Sequence, residues 1–290
     1  MFKALAEYIL RGRIQAFVVA LLGNFFPFLG PAAVALVSLV KGLTQGFWVF
    51  MWVSLPLMLL HYMSADNPLL IAVSIASLGL MVIAGTVHQA LASWQWTILA
   101  TIAASIVVAI GFGLLMTANV NDLIGQIMAV FAEISEMQGD TLQQLTITKS
   151  SLLGVIAIVL SVGCVISMLM ARWLQSLIYN PGGFQKEFHT FKIESKTTVV
   201  LISAVLLGVM LPKDYQFWTT LAAIPLLLSG IALIHFSVKQ LQLGGHWLIL
   251  FYVAPFLFGA LVAVFLVGLA AGDSFLDIRS RLLKYKNRKH

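Results

Sequence analysis

His235 and Lys239 stand four residues apart, so a helix places both on one face. An imidazole beside a fixed cation resists protonation, yet it can still accept or give a proton near neutral pH. Asn24 lies between the first apolar arm and Pro27, within the interrupted stretch Gly-Asn-Phe-Phe-Pro-Phe-Leu-Gly-Pro at 23–31 of an otherwise apolar run. Polar groups at membrane depth are expensive, and irregular backbone there persists only where it is buried in protein or lines a cavity. Asn24 and His235 are therefore the candidate ligand-binding residues, and the expected site is where the 24–31 break meets the His235 face. Asp273, Asp277 and Arg279 follow the last apolar run, with the two carboxylates one helical turn apart. Each carboxylate can cap or support the next helix, or turn back onto the basic loop at 172–196, where Arg172 is a candidate partner. These four are the candidate structural or partner-binding residues. His61 and His88 close apolar segments, where a polar tip at headgroup depth is ordinary.

Catalytic signatures are missing. The chain has no Gly-x-Ser-x-Gly elbow, no His-Glu-x-x-His, no Walker A lysine and no Cys-x-x-Cys. The single cysteine, Cys164, has no partner for a disulfide and no metal-ligand neighbour in an apolar segment, so it reads as packing. Neither an enzyme nor a cofactor nor a metal centre is expected.

The elements that position these residues are membrane helices. Hydrophobic residues make up 60% of the chain and charged residues 10%. Charge-free runs such as 94–116 and 151–171 have the ~20 residues that carry a helix across a hydrocarbon core. About eight such segments predict an all-α, polytopic transmembrane bundle in one integral membrane domain, 1–290. Six read as simple crossings, at 47–63, 68–87, 95–116, 151–171, 197–212 and 218–238. Two, at 14–40 and 246–271, are longer and interrupted, the second by Pro255 and Gly259. The connections at 117–150 and 172–196 are too short for a soluble core. The N-terminal segment lacks a convincing cleavage site and reads as retained.

Charge sets the expected orientation. Lys and Arg cluster at 3–13, 172–196 and 279–289, while 117–150 carries Asp122, Glu133, Glu136 and Asp140 against Lys149. The positive-inside rule then places the basic regions and both termini in the cytoplasm and the 117–150 connection outside. This holds if both interrupted segments are hairpins that enter and return on one side; as single spans they reverse the ledger. The net charge of +6 lies beside membrane segments, where it serves topology and anionic lipid rather than nucleic acid. Leu123, Ile127, Val130, Ile134 and Met137 form an apolar stripe outside the membrane, and Phe184, Phe188 and Phe191 another inside. Both suit contact with bilayer or bundle, and the alternative is a partner surface. Lys186 and Lys192 suit lipid phosphates.

Several stretches resemble the YybS-like family of bacterial polytopic membrane proteins. They are Pro-Phe-Leu-Gly-Pro at 27–31 with Lys41-Gly42-x-x-x-Gly46; Gly230-Ile-Ala-Leu-Ile-His235-Phe236; Gly272-Asp273-Ser-Phe275-Leu-Asp277-Ile-Arg279; and the run from Ala171 and Arg172 through Asn180-Pro-Gly-Gly-Phe184. The family's membrane pattern is distantly similar to the substrate-binding components of energy-coupling-factor transporters, although this chain has more apolar segments and no vitamin-site motif. The resemblance implies a bacterial inner-membrane location and, for Asp273, Asp277 and Arg279, a shared end motif. Together these readings predict small-molecule transport or substrate capture with partner subunits. The alternative is a non-transporting scaffold or regulator of another membrane complex.

Overall fold

The computed structural model describes residues 1–26, 28–63, 67–138 and 147–287. Pro27, Asp140, Arg288 and Lys289 lie outside them, as do the side chains of His61, Glu136, Met137 and Lys286. Among the described residues there are fifteen helices and no strand. In chain order these are α1 (Phe2–Arg11), α2 (Arg13–Gly23), α3 (Leu29–Lys41), α4 (Leu43–Met63), α5 (Pro68–Leu91), α6 (Trp94–Leu115), α7 (Thr117–Gln138) and α8 (Lys149–Tyr179). There follow α9 (Gly183–Thr190), α10 (Ser195–Met210), α11 (Lys213–Thr220), α12 (Ala223–Gln240), α13 (His246–Phe258), α14 (Ala260–Leu276) and α15 (Ile278–Asn287).

Five helices, α4, α5, α6, α8 and α12, are long and apolar enough to cross a membrane. The count reaches seven if the pairs α9/α10 and α14/α15, bent by 67° and 70°, each form one span. The protein is thus an all-α, multi-pass membrane protein. The expected crossing at 197–212 is α10, whose 16 residues give only about 24 Å of helix.

The helices group into two compact units. The first comprises Met1–Tyr179 and Leu211–Leu221. Its centre is α3, buried on every side from Ala32 to Leu39, as an apolar helix without a polar face must be. Small residues let its neighbours approach. A Cβ added at Gly85 of α5 would lie 2.6 Å from Ser38 Cβ and 3.0 Å from the Ala35 carbonyl oxygen. Close backbone approach at small residues is what associates helices in lipid, where burying apolar surface gives no drive.

The interrupted segment 14–40 is two short helices that fold back on each other. At the turn, a Cβ on Gly23 would sit 2.7 Å from the Gly30 nitrogen, and one on Gly30 would sit 2.8 Å from the Ala20 carbonyl oxygen. The two glycines face each other because nothing larger fits. Arms of 11 and 13 residues measure roughly 17 and 20 Å, short of a ~30 Å hydrocarbon core.

On α7 the half-buried positions include Leu123, Ile124, Ile127, Met128 and Phe131, whereas Val130 and Ile134 are exposed. The covered face is thus rotated from the stripe expected from spacing. Asn67 fixes α7 to the start of α5: its Nδ2 donates to the Asn119 carbonyl and to Asp122 Oδ2, both at 2.9 Å, while its Oδ1 caps α5 at the Leu69 N–H.

The second unit comprises Asn180–Met210 and Ala222–His290. Its core is the pairing of α12 with α14, around Leu226, Ala232, Leu233, Leu266 and Ala270. Helix α13 has no buried residue and is separated from α14 by Gly259 alone, at φ +53°.

Candidate functional site

The polar residues of the second unit converge where α9, α12, α13 and α15 meet. On α12 the apolar run ends at His235, and one turn later comes Lys239. His235 Nε2 hydrogen-bonds the Tyr252 hydroxyl of α13 at 2.8 Å. The Asn180-Pro-Gly-Gly turn, with Gly182 in the left-handed region at φ +80°, sends α9 across the end of α12. There the Phe188 ring meets His235 edge-on at 5.6 Å, and the His189 and His235 ring centres are 6.3 Å apart. Lys239 Nζ donates to Gln185 Oε1 at 3.1 Å. His189 itself is buried.

The fourth side is built by a sharp bend. Helix α14 ends at Asp277, whose backbone is left-handed at φ +48°, a conformation aspartate tolerates better than most residues. The bend returns Arg279 onto Asp273, six residues back. Asp273 is fully buried; its Oδ1 accepts the Arg279 backbone N–H at 3.2 Å, and its Oδ2 lies 3.3 Å from Arg279 Nε. The guanidinium sits over the Phe236 ring at 5.8 Å with only 7% of the arginine exposed. Its Nη1 and Nη2 have no hydrogen-bond partner among the described residues. Buried donors of a charged group are rarely left unbonded, because the desolvation cost is then not recovered.

The bend is pinned from α10 and the loop before it. Ser274 Oγ lies 2.8 Å from the Ile193 carbonyl oxygen, 2.9 Å from that of Ala270 and 3.0 Å from Thr198 Oγ1, which donates to it. Ser195 Oγ donates to the Ser274 carbonyl at 2.6 Å. Lys192 Nζ pairs with Asp277 Oδ1 at 3.1 Å. Hydrogen bonds from Ser280 and Lys192 hold the Asp277 carboxyl below its ordinary range.

Lys239 and Arg279 are the cations of this region, and Asp273 is buried against Arg279, on which Asp277 also acts. His189 lies on the polar helix α9 outside the apolar segments: burial first, then Lys239, His235 and Arg279, push its pKa down to about 4. The arrangement is a set of N–H donors and protonatable rings suited to an oxyanion, which a guanidinium fork binds bidentately.

An apolar groove of about 450 Å³ lies between α12 and α13, and its lining includes none of His189, His235, Lys239 or Arg279. Ile234 and Val238 line it on α12, each next in sequence to His235 or Lys239, and Trp247, Leu250, Phe251 and Ala254 line it on α13. The His235–Tyr252 bond spans the same two helices.

Of the residues singled out from sequence, Asp273 and Arg279 are brought together, and His235 stands beside Lys239 and Tyr252. Asp277 does contact the 172–196 loop, through Lys192 rather than Arg172. Arg172, on α8 in the first unit, donates to Gln175 Oε1 at 3.1 Å. Asn24 is also in the first unit, where its Nδ2 closes the end of α2 on the Ala20 carbonyl at 2.9 Å. Beside that break a smaller cavity, about 200 Å³, is lined by Phe28, Pro31, Ser77, Cys164 and Ser167. Sequence reasoning missed His189 and Tyr252. His189 follows Phe188 of the aromatic stripe, which gave a signal; Tyr252 gave none, since its partner is 17 positions away on another helix.

No family model, curated protein or solved structure matches the chain. The class is set by the fold alone: a multi-pass helical membrane protein.

Proposed function

We propose that this protein captures a small molecule at the membrane, as the binding component of a transport system working with partner subunits, in a bacterial inner membrane with both termini in the cytoplasm. The observation that carries the reading is the buried Arg279 guanidinium near His189, held at one edge by Asp273 and left with Nη1 and Nη2 without a hydrogen-bond partner among the described residues. A charged group kept buried with donors unpaired supports a ligand site. The short motifs that resemble the YybS-like family, and the distant likeness of that family's membrane pattern to vitamin-capturing components, support the same reading. The charge ledger supports the orientation.

The test is ligand-dependent stability of the purified protein. A captured molecule raises the melting temperature by mass action in proportion to the logarithm of its concentration, and Arg279→Gln abolishes the rise. A protein that answers to no compound in a broad panel, yet co-purifies stoichiometrically with another membrane protein, is a scaffold instead.

A further inference from the structure

Two one-residue links meet at one end of the first unit. Gly12 joins α1 to α2 and is flanked by Arg11 and Arg13; Gly42 joins α3 to α4 and is preceded by Lys41. Each link reaches across to the other. Lys41 Nζ donates to the Leu10 carbonyl at 2.6 Å, and Arg13 Nε donates to Gln45 Oε1 of α4 at 2.7 Å. The Arg13 guanidinium also lies 6.0 Å from the centre of the Trp48 ring. Arg11, Arg13 and Lys41 are all exposed. Among the described residues no carboxylate pairs with them. The chain has no Asp or Glu between Glu7 and Asp66, and Glu7 itself pairs with Lys3 at 3.9 Å.

We propose that this junction binds an anionic phospholipid. Arg13 holds the phosphate, Lys41 adds the second positive charge, and an acyl chain of the same lipid lies along α4 from Trp48. The site belongs to the first unit and does not depend on the capture reading above.

Three observations carry the assignment. Arg13 uses only its Nε on the protein; its Nη1 and Nη2 make no hydrogen bond among the described residues, on a side chain that is exposed. A guanidinium presents such a pair of N–H groups to two oxygens of one phosphate. Next, one contact joins head to chain. Trp48, which Arg13 touches, begins an exposed apolar stripe on α4 that continues through Met51, Trp52, Leu55, Met58 and Leu59 at helical spacing. The stripe covers about 17 Å of helix, close to half of a ~30 Å hydrocarbon core, which is one leaflet's share. Helix α4 is long and apolar enough to cross a membrane from Leu43, so the cations beside its first turn stand at headgroup depth. Finally, positive charges without a counter-ion repel across the two links, and a bound anion relieves that repulsion where α1 packs on α2 and α3 on α4. An acidic peptide from the aqueous side would use the cations and leave the stripe idle; a phospholipid uses both.

The experiment uses the full-length protein purified in a neutral maltoside detergent. Phosphatidylglycerol and phosphatidylcholine with the same oleoyl chains, glycerol phosphate and a polyglutamate peptide are titrated against it. Binding is read by native mass spectrometry and by melting temperature. Phosphatidylglycerol is expected to bind about tenfold more tightly than phosphatidylcholine, to raise the melting temperature more, and to lose its advantage as salt rises. Arg13→Gln should remove most of the preference and Lys41→Gln part of it. Arg13→Lys, which keeps the charge and loses the fork, should retain part and shows that the junction is folded. Lys213→Gln, which removes the same charge from an exposed position of α11, should leave the preference intact. Trp52→Ala should weaken both lipids without changing their ratio.

Equal binding of the two lipids, an unchanged preference in Arg13→Gln, or the same loss in Lys213→Gln overturns the site. Glycerol phosphate binding as tightly as phosphatidylglycerol, or Trp52→Ala without effect, overturns the assignment of a chain. Polyglutamate that displaces phosphatidylglycerol at lower concentration overturns the lipid and assigns the patch to an acidic protein. None of these outcomes touches the Arg279→Gln test, so this site and the capture reading fail separately.

Discussion

Two ion pairs at the end of α14 look alike in sequence and differ sharply in environment. Asp273–Arg279 is sealed, with side chains 0% and 8% exposed; Lys192–Asp277 is open, at 33% and 53%. Removing one member of a buried pair leaves an uncompensated charge and costs about 3–5 kcal/mol, whereas an exposed pair contributes about 0–1 kcal/mol. Asp273→Ala should therefore lower the melting temperature in detergent by many degrees, and Asp277→Ala by few. Equal shifts in the two variants would sink this distinction. His189 supplies a pH signature. Its pKa is lowered to about 4 from the ordinary 6.5, so the unfolded chain binds the proton more readily between those values. Stability from this group is complete above about pH 6.5 and is lost as the pH falls toward 4. A stability–pH profile should show that slope, and His189→Phe should flatten it. At this scale the sequence offered His235 with Lys239, because i,i+4 spacing on a helix is a local fact. It offered nothing for Asp273 with Arg279, because six residues is not a helical repeat; the pair depends on a bend at an aspartate, with no glycine or proline to announce it.

Among the helices, contacts between backbones decide what a position tolerates. Gly30 abuts the Ala20 carbonyl oxygen at the α2–α3 turn, and Gly85 abuts Ser38 and Ala35, whereas a Cβ at Gly111 of α6 or Gly268 of α14 would meet nothing within 4 Å. Gly30→Leu and Gly85→Leu should each destabilise by about 1–3 kcal/mol or more through overpacking. Gly111→Ala and Gly268→Ala should be neutral or gain up to about 1 kcal/mol from helix propensity. Thermal unfolding of the four variants separates crowded from open glycines. Long apolar runs were readable as helices because length and the absence of charge suffice for that. The glycines' roles were not, since the same residue type marks a crowded crossing at 85 and open space at 111. The stripe on α7 was placed by periodicity, but its covered face is set by where Asn67 ties the helix down.

For the molecule as a whole, the five to seven helices long and apolar enough to cross a membrane among the described residues leave the side of each loop to be decided by charge. The proposed orientation puts α9 in the cytoplasm. In a Cys164→Ala background, Phe184→Cys should react with a membrane-impermeant maleimide only after the membrane is opened; labelling in intact cells would reverse the topology. The division into two compact units was invisible in the sequence, where membrane-length apolar segments recur in both units. Composition reports that a segment enters lipid, and is silent on which neighbours it keeps there.

The hairpin of α2 and α3 bears on how the chain is made. Neither arm is long enough to be held across the bilayer by itself, and they close on each other at Gly23 and Gly30. A nascent chain that has released only α2 has nothing to anchor; the first stable state needs α3 as well, hence synthesis well past Lys41. Of the two arms, the one synthesised first thus does not settle before the other. The durable commitment to the membrane belongs to the pair.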